Sequence, residues 1–339
     1  MSSIPDGANP GGPPIGAAAP ADVSRETWGA VSPSETWSED APNNTPIGAE
    51  AERAVRLLHT TDGRLPRPAR QRVFTIANQK GGVGKTTTAV NVAAALALHG
   101  LRTLVIDLDP QGNASTALGI DHRPGTPSSY EVLIGEMPVQ QAMQRSPHSE
   151  RLFCVPATID LAGAEIELVS MVAREGRLRT ALADLQHHDF DYAFIDCPPS
   201  LGLLTINALV AAPEVLIPIQ CEYYALEGVG QLLRNIEMVK AHLNPALNVS
   251  TVILTMYDGR TKLADQVAAD VRAHFGDKVL RTVIPRSVKV SEAPGYGMTI
   301  LDYDPGSRGA MSYLDASREL AERGAPPAPD IPDTPKGQA

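Results

Sequence analysis

The chain has 339 residues, of which 43% are hydrophobic and 20% charged, a globular composition that can form a sizeable core. Its formal net charge of −10, taken over the whole chain, argues against a nucleic-acid binder, because such domains are usually basic. The three cysteines lie far apart in sequence, which excludes a disulfide framework and indicates a reducing cytoplasm. No apolar run is long enough for a transmembrane helix, and the N-terminus lacks a secretory signal pattern.

Both ends of the chain are rich in proline. Residues 1–46 hold eight Pro and five Gly without an apolar period, which predicts a disordered leader because too little surface can be buried. Trp28 and Trp37 interrupt this leader, either by chance or as a short linear motif. Residues 47–71 predict one short helix and a linker, and residues 325–339 predict a disordered tail.

The stretch 72–324 alternates between short apolar runs and segments with helical periodicity, and it fits a single domain. The predicted strands are Val73–Asn78, Arg102–Asp107, Leu152–Val155, Tyr192–Asp196, Glu214–Ile219, Ser250–Thr255 and Val279–Ile284. The clearest predicted helices are Lys85–His99, Gly176–Leu185, Leu201–Ala211, Leu226–His242 and Leu263–Phe275. This alternation predicts an α/β fold, a doubly wound and mostly parallel sheet with helices on both faces. Ligands of such sheets bind at the carboxyl ends of the strands.

A glycine-rich loop follows the first predicted strand, and residues 80–87 read Lys-Gly-Gly-Val-Gly-Lys-Thr-Thr. The standard phosphate loop would require glycine at position 79, where this chain has Gln79. Glycines let the backbone close around phosphates, and the N–H groups at a helix start point toward the anion. Lys85 would reach the β- and γ-phosphates and Thr86 would ligate Mg²⁺, whereas the alternative is a glycine turn without a ligand.

Three acidic residues follow two other predicted strands. Asp196 ends an apolar strand, as expected for a Walker B carboxylate that holds Mg²⁺ through water; alternatively it caps the next helix. Asp107 and Asp109 are two residues apart, so on an extended segment both point to one side. We expect both to face the γ-phosphate and its attacking water, although two carboxylates in an ordinary turn would show the same spacing.

These motifs, in this order and spacing, resemble the ParA/MinD family of deviant Walker A ATPases, a group of P-loop NTPases. The resemblance covers about residues 72–320 and is closest to the chromosomal ParA (Soj) branch. Further stretches similar to that branch are Asp107–Asn113, Asp196–Gly202, Gln220–Gly228 and Ile284–Gly297. The resemblance implies ATP and Mg²⁺ as cofactors and a slow hydrolysis of ATP to ADP and phosphate that depends on dimerisation.

The resemblance also implies roles for single residues. Lys80 matches the signature lysine that crosses to the nucleotide of the partner subunit, and Asp109 matches the acid that positions water. Catalysis would therefore depend on Lys80, Lys85 and Asp109. The predicted phosphate-binding residues are Lys80, Gly81, Gly82, Val83, Gly84, Lys85, Thr86 and Thr87.

Other matched positions surround the metal and the base. Thr86, Asp107 and Asp196 are the implied metal residues, the two acids acting through water. Pro110 begins a switch that senses the γ-phosphate. The resemblance further places Met256 and Pro285 beside the adenine, and Glu222 near the ribose or the partner subunit.

Other branches of the family fit the sequence less well. The proline-rich end after Ala325 cannot form the amphipathic helix of a membrane-anchored member, so no membrane partner is expected. Cys197 and Cys221 are interpreted as core thiols rather than ligands of an iron–sulfur cluster. The first 70 residues have room for one short helix only, which argues against a helix-turn-helix that would read an operator.

One region is basic within this acidic chain. Residues 258–290 contain seven Lys or Arg against four Asp. Arg260 and Lys262 follow one predicted strand, and Arg286 and Lys289 follow the next, so the loops that carry them can converge. By resemblance, these residues bind double-stranded DNA without sequence preference in an ATP-bound homodimer. The alternative is a solvated surface with scattered charge.

The resemblance thus implies an ATPase that partitions the chromosomal origin region. A ParB-like centromere-binding protein would trigger hydrolysis and release a cytoplasmic, nucleoid-associated dimer from DNA. The leader would offer a binding segment for a cell-pole scaffold. The alternatives are a positioning ATPase for a non-DNA cargo and a metabolic ligase or reductase on the same fold.

Overall fold

The computed structural model describes residues 63–326, apart from positions 184, 186–188 and 224. The predictions for the leader 1–46, for the short helix before residue 63 and for the tail beyond residue 326 lie outside this described part of the chain.

Within the described residues, eight strands form one sheet in the order β3-β4-β2-β5-β1-β6-β7-β8. Their bounds are β1 Arg72–Ile76, β2 Thr103–Asp107, β3 Gln144–Arg145, β4 Leu152–Val155, β5 Tyr192–Asp196, β6 Glu214–Gln220, β7 Asn248–Tyr257 and β8 Val279–Pro285. Every paired strand is parallel to its neighbour except β3, which pairs with β4 in antiparallel register. The mostly parallel sheet is therefore confirmed, and the short edge strand β3 was not predicted.

Helices cover both faces of the sheet, as predicted. They are α1 Lys85–Leu98, α2 Asn113–Ala117, α3 Ser129–Ile134, α4 Val139–Ala142, α5 Leu161–Ser170, α6 Arg177–Leu182, α7 Leu203–Ala211, α8 Glu227–His242, α9 Lys262–Phe275, α10 Val288–Glu292, α11 Ile300–Tyr303 and α12 Arg308–Gly324. Single 3₁₀ turns span Arg174–Gly176, Gly276–Lys278 and Ala293–Tyr296. One apolar cluster joins the sheet to α1 and α12, and two others join it to the helices α3–α9.

The central strands are buried on both faces, which explains their continuous apolar sequences. Phe74, Tyr192 and Phe194 stack across β1 and β5, with ring centroids 5.5–6.4 Å apart. Cys154, Cys197 and Cys221 are all buried free thiols, in agreement with their interpretation as core residues. The core thus holds the strand ends in fixed positions, and the functional loops leave from these ends.

Helix α12 covers the open edge of the sheet at β8. The carboxylate of Glu319 accepts hydrogen bonds from the backbone N–H groups of Arg281 and Thr282 at 2.9 and 3.2 Å. Arg323, one turn further along the helix, donates to the same carboxylate at 2.7 Å and to the carbonyl of Val279 at 2.9 Å. Backbone groups that would otherwise form a free strand edge are therefore occupied by side chains.

Candidate nucleotide site

The glycine loop connects the central strand β1 to helix α1. Gly82 and Gly84 have φ values of 74° and 88°, a left-handed backbone that glycine adopts at little cost. The loop therefore turns sharply into α1 and directs backbone N–H groups to one place, which is the arrangement that binds phosphate.

Lys85, the first residue of α1, is almost fully buried at the base of this loop. Its Nζ donates to the carbonyl oxygen of Lys80 at 3.3 Å. Burial lowers the pKa of the ammonium group, while the nearby carboxylates of Asp196 and Asp109 act in the opposite direction. A phosphate bound here would give this desolvated cation the anionic neighbour that it lacks.

Asp196 lies at the end of β5 and is completely buried. Neither of its carboxylate oxygens has a hydrogen-bond partner among the described residues. Burial, together with the adjacent Asp107, raises the pKa of this carboxyl well above its ordinary value, although the nearby Thr86 hydroxyl lowers it. An unpartnered buried carboxylate beside Thr86 fits a hydrated Mg²⁺, which would supply the missing donors and the missing positive charge.

Asp107 pairs in register with Asp196 on the neighbouring strand, but its carboxylate has a different use. It accepts hydrogen bonds from the Ser115 backbone N–H and hydroxyl at 2.9 and 2.7 Å and from the Asp109 N–H at 3.1 Å. Burial raises the pKa of Asp107 to about 6 despite these bonds. We expected both Asp107 and Asp109 to face the γ-phosphate, and this expectation needs correction. The Asp107 side chain is hydrogen-bonded inside the turn, whereas Asp109 lines the cavity.

A cavity of about 710 Å³ lies above the glycine loop, which is a size suited to one nucleotide. Of the predicted residues, those that line it are Gly81, Gly82, Gly84, Lys85, Thr86, Thr87, Asp109 and Met256. Lys80, Val83, Asp107, Pro110, Asp196 and Pro285 are not among the lining residues. Met256 has a φ of 51°, a strained value for a residue with a side chain, as often occurs at ligand sites.

Sequence reasoning missed several lining residues, namely Val90, Asn91, Gln111, Asn113, Ala117, Pro199, Ser200, Ser291, Pro294 and Met298. Many of them lie inside the four stretches that resemble the ParA branch, so the resemblance could have identified them as site residues. Asn91 lies outside those stretches, one turn beyond Thr87 on α1, and helical spacing alone could have indicated it.

In the described part of the chain, no three His, Cys, Asp or Glu side chains are grouped closely enough to hold a metal by themselves. This suits Mg²⁺, which commonly takes one or two protein ligands and fills its shell with water and substrate phosphate. Thr86 lines the cavity and Asp196 is buried, and their role as ligands of this ion stays a prediction.

Lys80 turns away from the cavity. Its Nζ forms an ion pair with Glu222, which follows β6, at 3.0 Å. Gln220 donates to the other carboxylate oxygen of Glu222. In this conformation the signature lysine is therefore held by its own chain.

The basic residues lie where β7 and β8 end side by side. Arg260 forms a two-bond pair with Asp258 at 2.9 and 2.8 Å, and Lys289 pairs with Asp304. The Arg260 guanidinium lowers the pKa of Asp258 to about 2, with a smaller contribution from Arg286. Both loops therefore meet around Asp258, while the exposed Lys262 begins α9 beside them.

Comparison with known proteins agrees with this geometry. Residues 71–249 match the family model described as an AAA domain. The chain is 52% identical over 253 residues to the sporulation initiation inhibitor protein Soj of Bacillus subtilis, covering 75% of this chain and 99% of that protein. It is 51% identical over 258 residues to the chromosome partitioning protein ParA of Myxococcus xanthus, covering 76% of this chain and 90% of that one.

Solved structures show the same fold. A Mycobacterium smegmatis structure, described as cobyrinic acid a,c-diamide synthase with bound ATP analogue and magnesium, is 42% identical, with a TM-score of 0.63 over 74% of this chain and 93% of that chain. The Pyrococcus furiosus cell division ATPase MinD is 27% identical, with a TM-score of 0.62 over 74% and 99% of the two chains.

An eight-stranded sheet with an off-pattern glycine loop and an acid at the end of β5 defines a deviant Walker A ATPase. The chain belongs to the ParA/MinD family of these ATPases, in its Soj/ParA branch. It is an ATPase, and the residues around its cavity fit ATP and Mg²⁺. No described helix is both long and apolar enough to cross a membrane.

Proposed function

We propose that this chain is a chromosome-partitioning ATPase that binds DNA without sequence preference in an ATP-bound homodimer. A ParB-like protein stimulates hydrolysis and so releases the dimer from the nucleoid. The names of the relatives, which include chromosome partitioning proteins, support this assignment.

The observation that carries the proposal concerns residues 286–298, which we call the bridging segment. This segment contributes residues both to the nucleotide cavity and to the basic loops. Its Ser291, Pro294 and Met298 line the nucleotide cavity, and its Arg286 and Lys289 belong to the basic loops. Two residues after the segment, the backbone N–H of Ile300 donates a hydrogen bond to Asn91 Oδ1 at 2.9 Å. This bond connects the end of the segment to helix α1, which follows the phosphate loop. A nucleotide in the cavity would therefore contact the same stretch of chain that presents the cations.

The chemistry follows from the positions of four side chains. Lys85 binds the β- and γ-phosphates, Thr86 and Asp196 hold Mg²⁺, and Asp109 at the cavity wall orients the attacking water. A Mg²⁺ ion held by Thr86 and Asp196 would supply positive charge to offset the charge of the phosphate oxygens. Asp107 acts indirectly, since its hydrogen bonds fix the turn that carries Asp109.

Dimerisation completes the site. The Lys80–Glu222 ion pair is exposed, and exposed pairs contribute little to stability, about 0–1 kcal/mol. Lys80 can therefore exchange Glu222 for the more strongly charged phosphates of a partner subunit. This exchange makes hydrolysis depend on the dimer.

The leader has a separate proposed role, the binding of a cell-pole scaffold through a linear motif. Deletion of residues 1–46 tests it by microscopy of a fluorescent fusion. Loss of polar signal with unchanged ATPase activity is the expected result, and unchanged localisation would exclude the role.

The main test is electrophoretic retardation of a DNA duplex by the purified protein with ATP, with ADP and without nucleotide. We expect retardation with ATP only.

Asp109→Ala should retain retardation and lose turnover, because the dimer is trapped before hydrolysis. Arg286→Glu should abolish retardation while the ATP dimer persists on a sizing column, and Arg145→Glu, an exposed arginine on the opposite edge strand β3, serves as its matched control.

A second candidate function is an ATP-dependent small-molecule ligase, which the description of the Mycobacterium smegmatis structure favours. Turnover that depends on an added corrinoid acid and an ammonia donor would support it. Turnover that rises with DNA and a ParB-like protein would support partitioning. A positioning ATPase for non-DNA cargo would share the DNA response and lack the response to a ParB-like protein.

A further inference from the structure

Helix α5 presents an unusual surface. Its residues Leu161, Ala164 and Leu168 are buried in the core, yet the opposite side is also apolar. Ile159, Ile166, Val169 and Val172 are 60%, 78%, 59% and 89% exposed. We call these four residues the α5 stripe. Ile166 and Val169 lie on the outer side of α5 at helical spacing, and Ile159 and Val172 flank the two ends of the helix. This exposed apolar surface indicates that the outer side has a partner.

The charges around the α5 stripe favour one kind of partner. Residues 159–175 contain four acidic side chains and a single basic one, Arg174, which is paired with Glu175 at 2.9 Å. Three of the acids, Asp160, Glu165 and Glu167, lie on or immediately before α5 itself. The α5 stripe and its acidic border are complementary to an amphipathic segment that carries Lys or Arg beside its apolar face.

One of these acids connects the stripe to the nucleotide site. The Oε1 atom of Glu165 is buried and has no hydrogen-bond partner in the described part of the chain. It lies against Gly202, where a Cβ would collide with it. Gly202 precedes α7 and ends the loop that follows Asp196, and Pro199 and Ser200 of that loop line the cavity.

From these observations we infer that the α5 stripe is the docking site for a basic amphipathic segment of the activating partner. The apolar side chains of that segment cover Ile166 and Val169. A basic side chain supplies the donor that Glu165 lacks. Movement of Glu165 against Gly202 then shifts Pro199 and Ser200 and so changes the cavity. This inference rests on the proposed function, because the partner is the ParB-like protein.

The test is the ATPase rate measured while the purified cognate ParB-like protein is titrated, with DNA present. For Ile166→Lys we expect the half-maximal partner concentration to rise at least tenfold, with unchanged basal turnover and unchanged ATP-dependent DNA retardation. Met238→Lys, the same kind of change at a half-exposed apolar residue on α8, is the matched control and should behave as wild type. Glu165→Gln should lower the maximal stimulation, because the carboxylate no longer attracts the cation.

The outcomes separate two failures. Equal stimulation of wild type and Ile166→Lys would overturn the α5 site and leave the proposed function intact. A wild-type protein that the partner does not stimulate would overturn the partner in the proposed function itself. Loss of the ATP dimer in Ile166→Lys, measured by light scattering, would show that a second copy of this chain covers the stripe and would overturn the inference.

Discussion

At the scale of single residues, the most informative group is the unpartnered carboxylate of Asp196. Its raised pKa means that the native state binds its proton more tightly than the unfolded state does, so this group's contribution to stability falls as pH rises above the ordinary value of 3.8. The cost persists in the absence of Mg²⁺ because the Thr86 hydroxyl and the Lys85 ammonium group offset only part of it.

Replacing Asp196 by Asn removes the charge and keeps the shape. Without nucleotide and Mg²⁺, we expect Asp196→Asn to unfold at a higher temperature than wild type at pH 7, at about 2–4 °C per kcal/mol gained. The difference should shrink as the pH is lowered, because protonation of the buried carboxyl removes its charge. Thermal unfolding from pH 4 to 8 measures it, and ATPase activity should be lost. A variant less stable than wild type at pH 7 would contradict the account.

The sequence located the glycine loop and the three acids at strand ends, but it did not orient their side chains, and it missed ten residues that line the cavity. Asp107, Asp109 and Asp196 could be placed at strand ends because apolar runs stop there. That Asp107 turns inward depends on Ser115, eight residues later, whose hydroxyl and N–H reach it only once α2 has packed. Such a contact comes from packing, which spacing does not encode.

At the scale of elements, α12 and β8 depend on each other. Burial alone would raise the pKa of Glu319, but the N–H groups of Arg281 and Thr282 and the Arg323 guanidinium lower it below 4.5. A carboxyl with a depressed pKa stabilises the fold above its unfolded pKa and loses that contribution as pH falls through the folded pKa. The helix therefore holds the strand edge most firmly at neutral pH.

Glu319→Ala should lower the free energy of unfolding by about 1–3 kcal/mol at pH 7, since two partly buried N–H groups lose their acceptor. Chemical denaturation measures the change, and the difference from wild type should narrow below pH 4. Glu322→Ala, an exposed acid on the same helix, is the control and should shift stability by less than about 0.5 kcal/mol. Equal effects of both changes would argue against the edge role.

The elements themselves were predicted unevenly. Long periodic segments such as α8 and α9 were found within one residue of their bounds, because amphipathic periodicity is a strong signal over several turns. Strand β3 has only two residues and leaves no period, and α10 and α11 are single turns. Strand β3 is placed by its pairing with β4, α10 and α11 by contacts with α12, and α11 also by contacts with α1.

At the scale of the whole molecule, charge separates the basic loops from the rest of the chain. The net charge of −10 would oppose binding of a monomer to DNA, and in the proposed function the pairing of two basic loops in a dimer would overcome this repulsion. Asp258 forms an ion pair with Arg260, and Asp304 forms one with Lys289. Arg260 and Lys289 would then exchange a carboxylate for a phosphate.

Contacts between the basic loops and DNA phosphates should make the DNA affinity depend on salt concentration. Each lost phosphate contact should reduce the slope of log affinity against log salt by about 0.9, so Arg286→Ala in a dimer should reduce it by about 2. Fluorescence anisotropy with a labelled duplex across a salt series measures the slope. An unchanged slope would place Arg286 away from the DNA backbone, and Arg145→Ala provides the baseline.

The bridging segment also constrains how the sequence of this protein can evolve. A substitution selected there because it alters nucleotide retention also repositions the loop cations, since both belong to one continuous stretch tied to Asn91. Mutations that restore a weakened DNA surface can therefore arise inside the nucleotide cavity. If the proposed DNA surface holds, we expect changes in nucleotide retention and in DNA affinity to be correlated among variants of this segment.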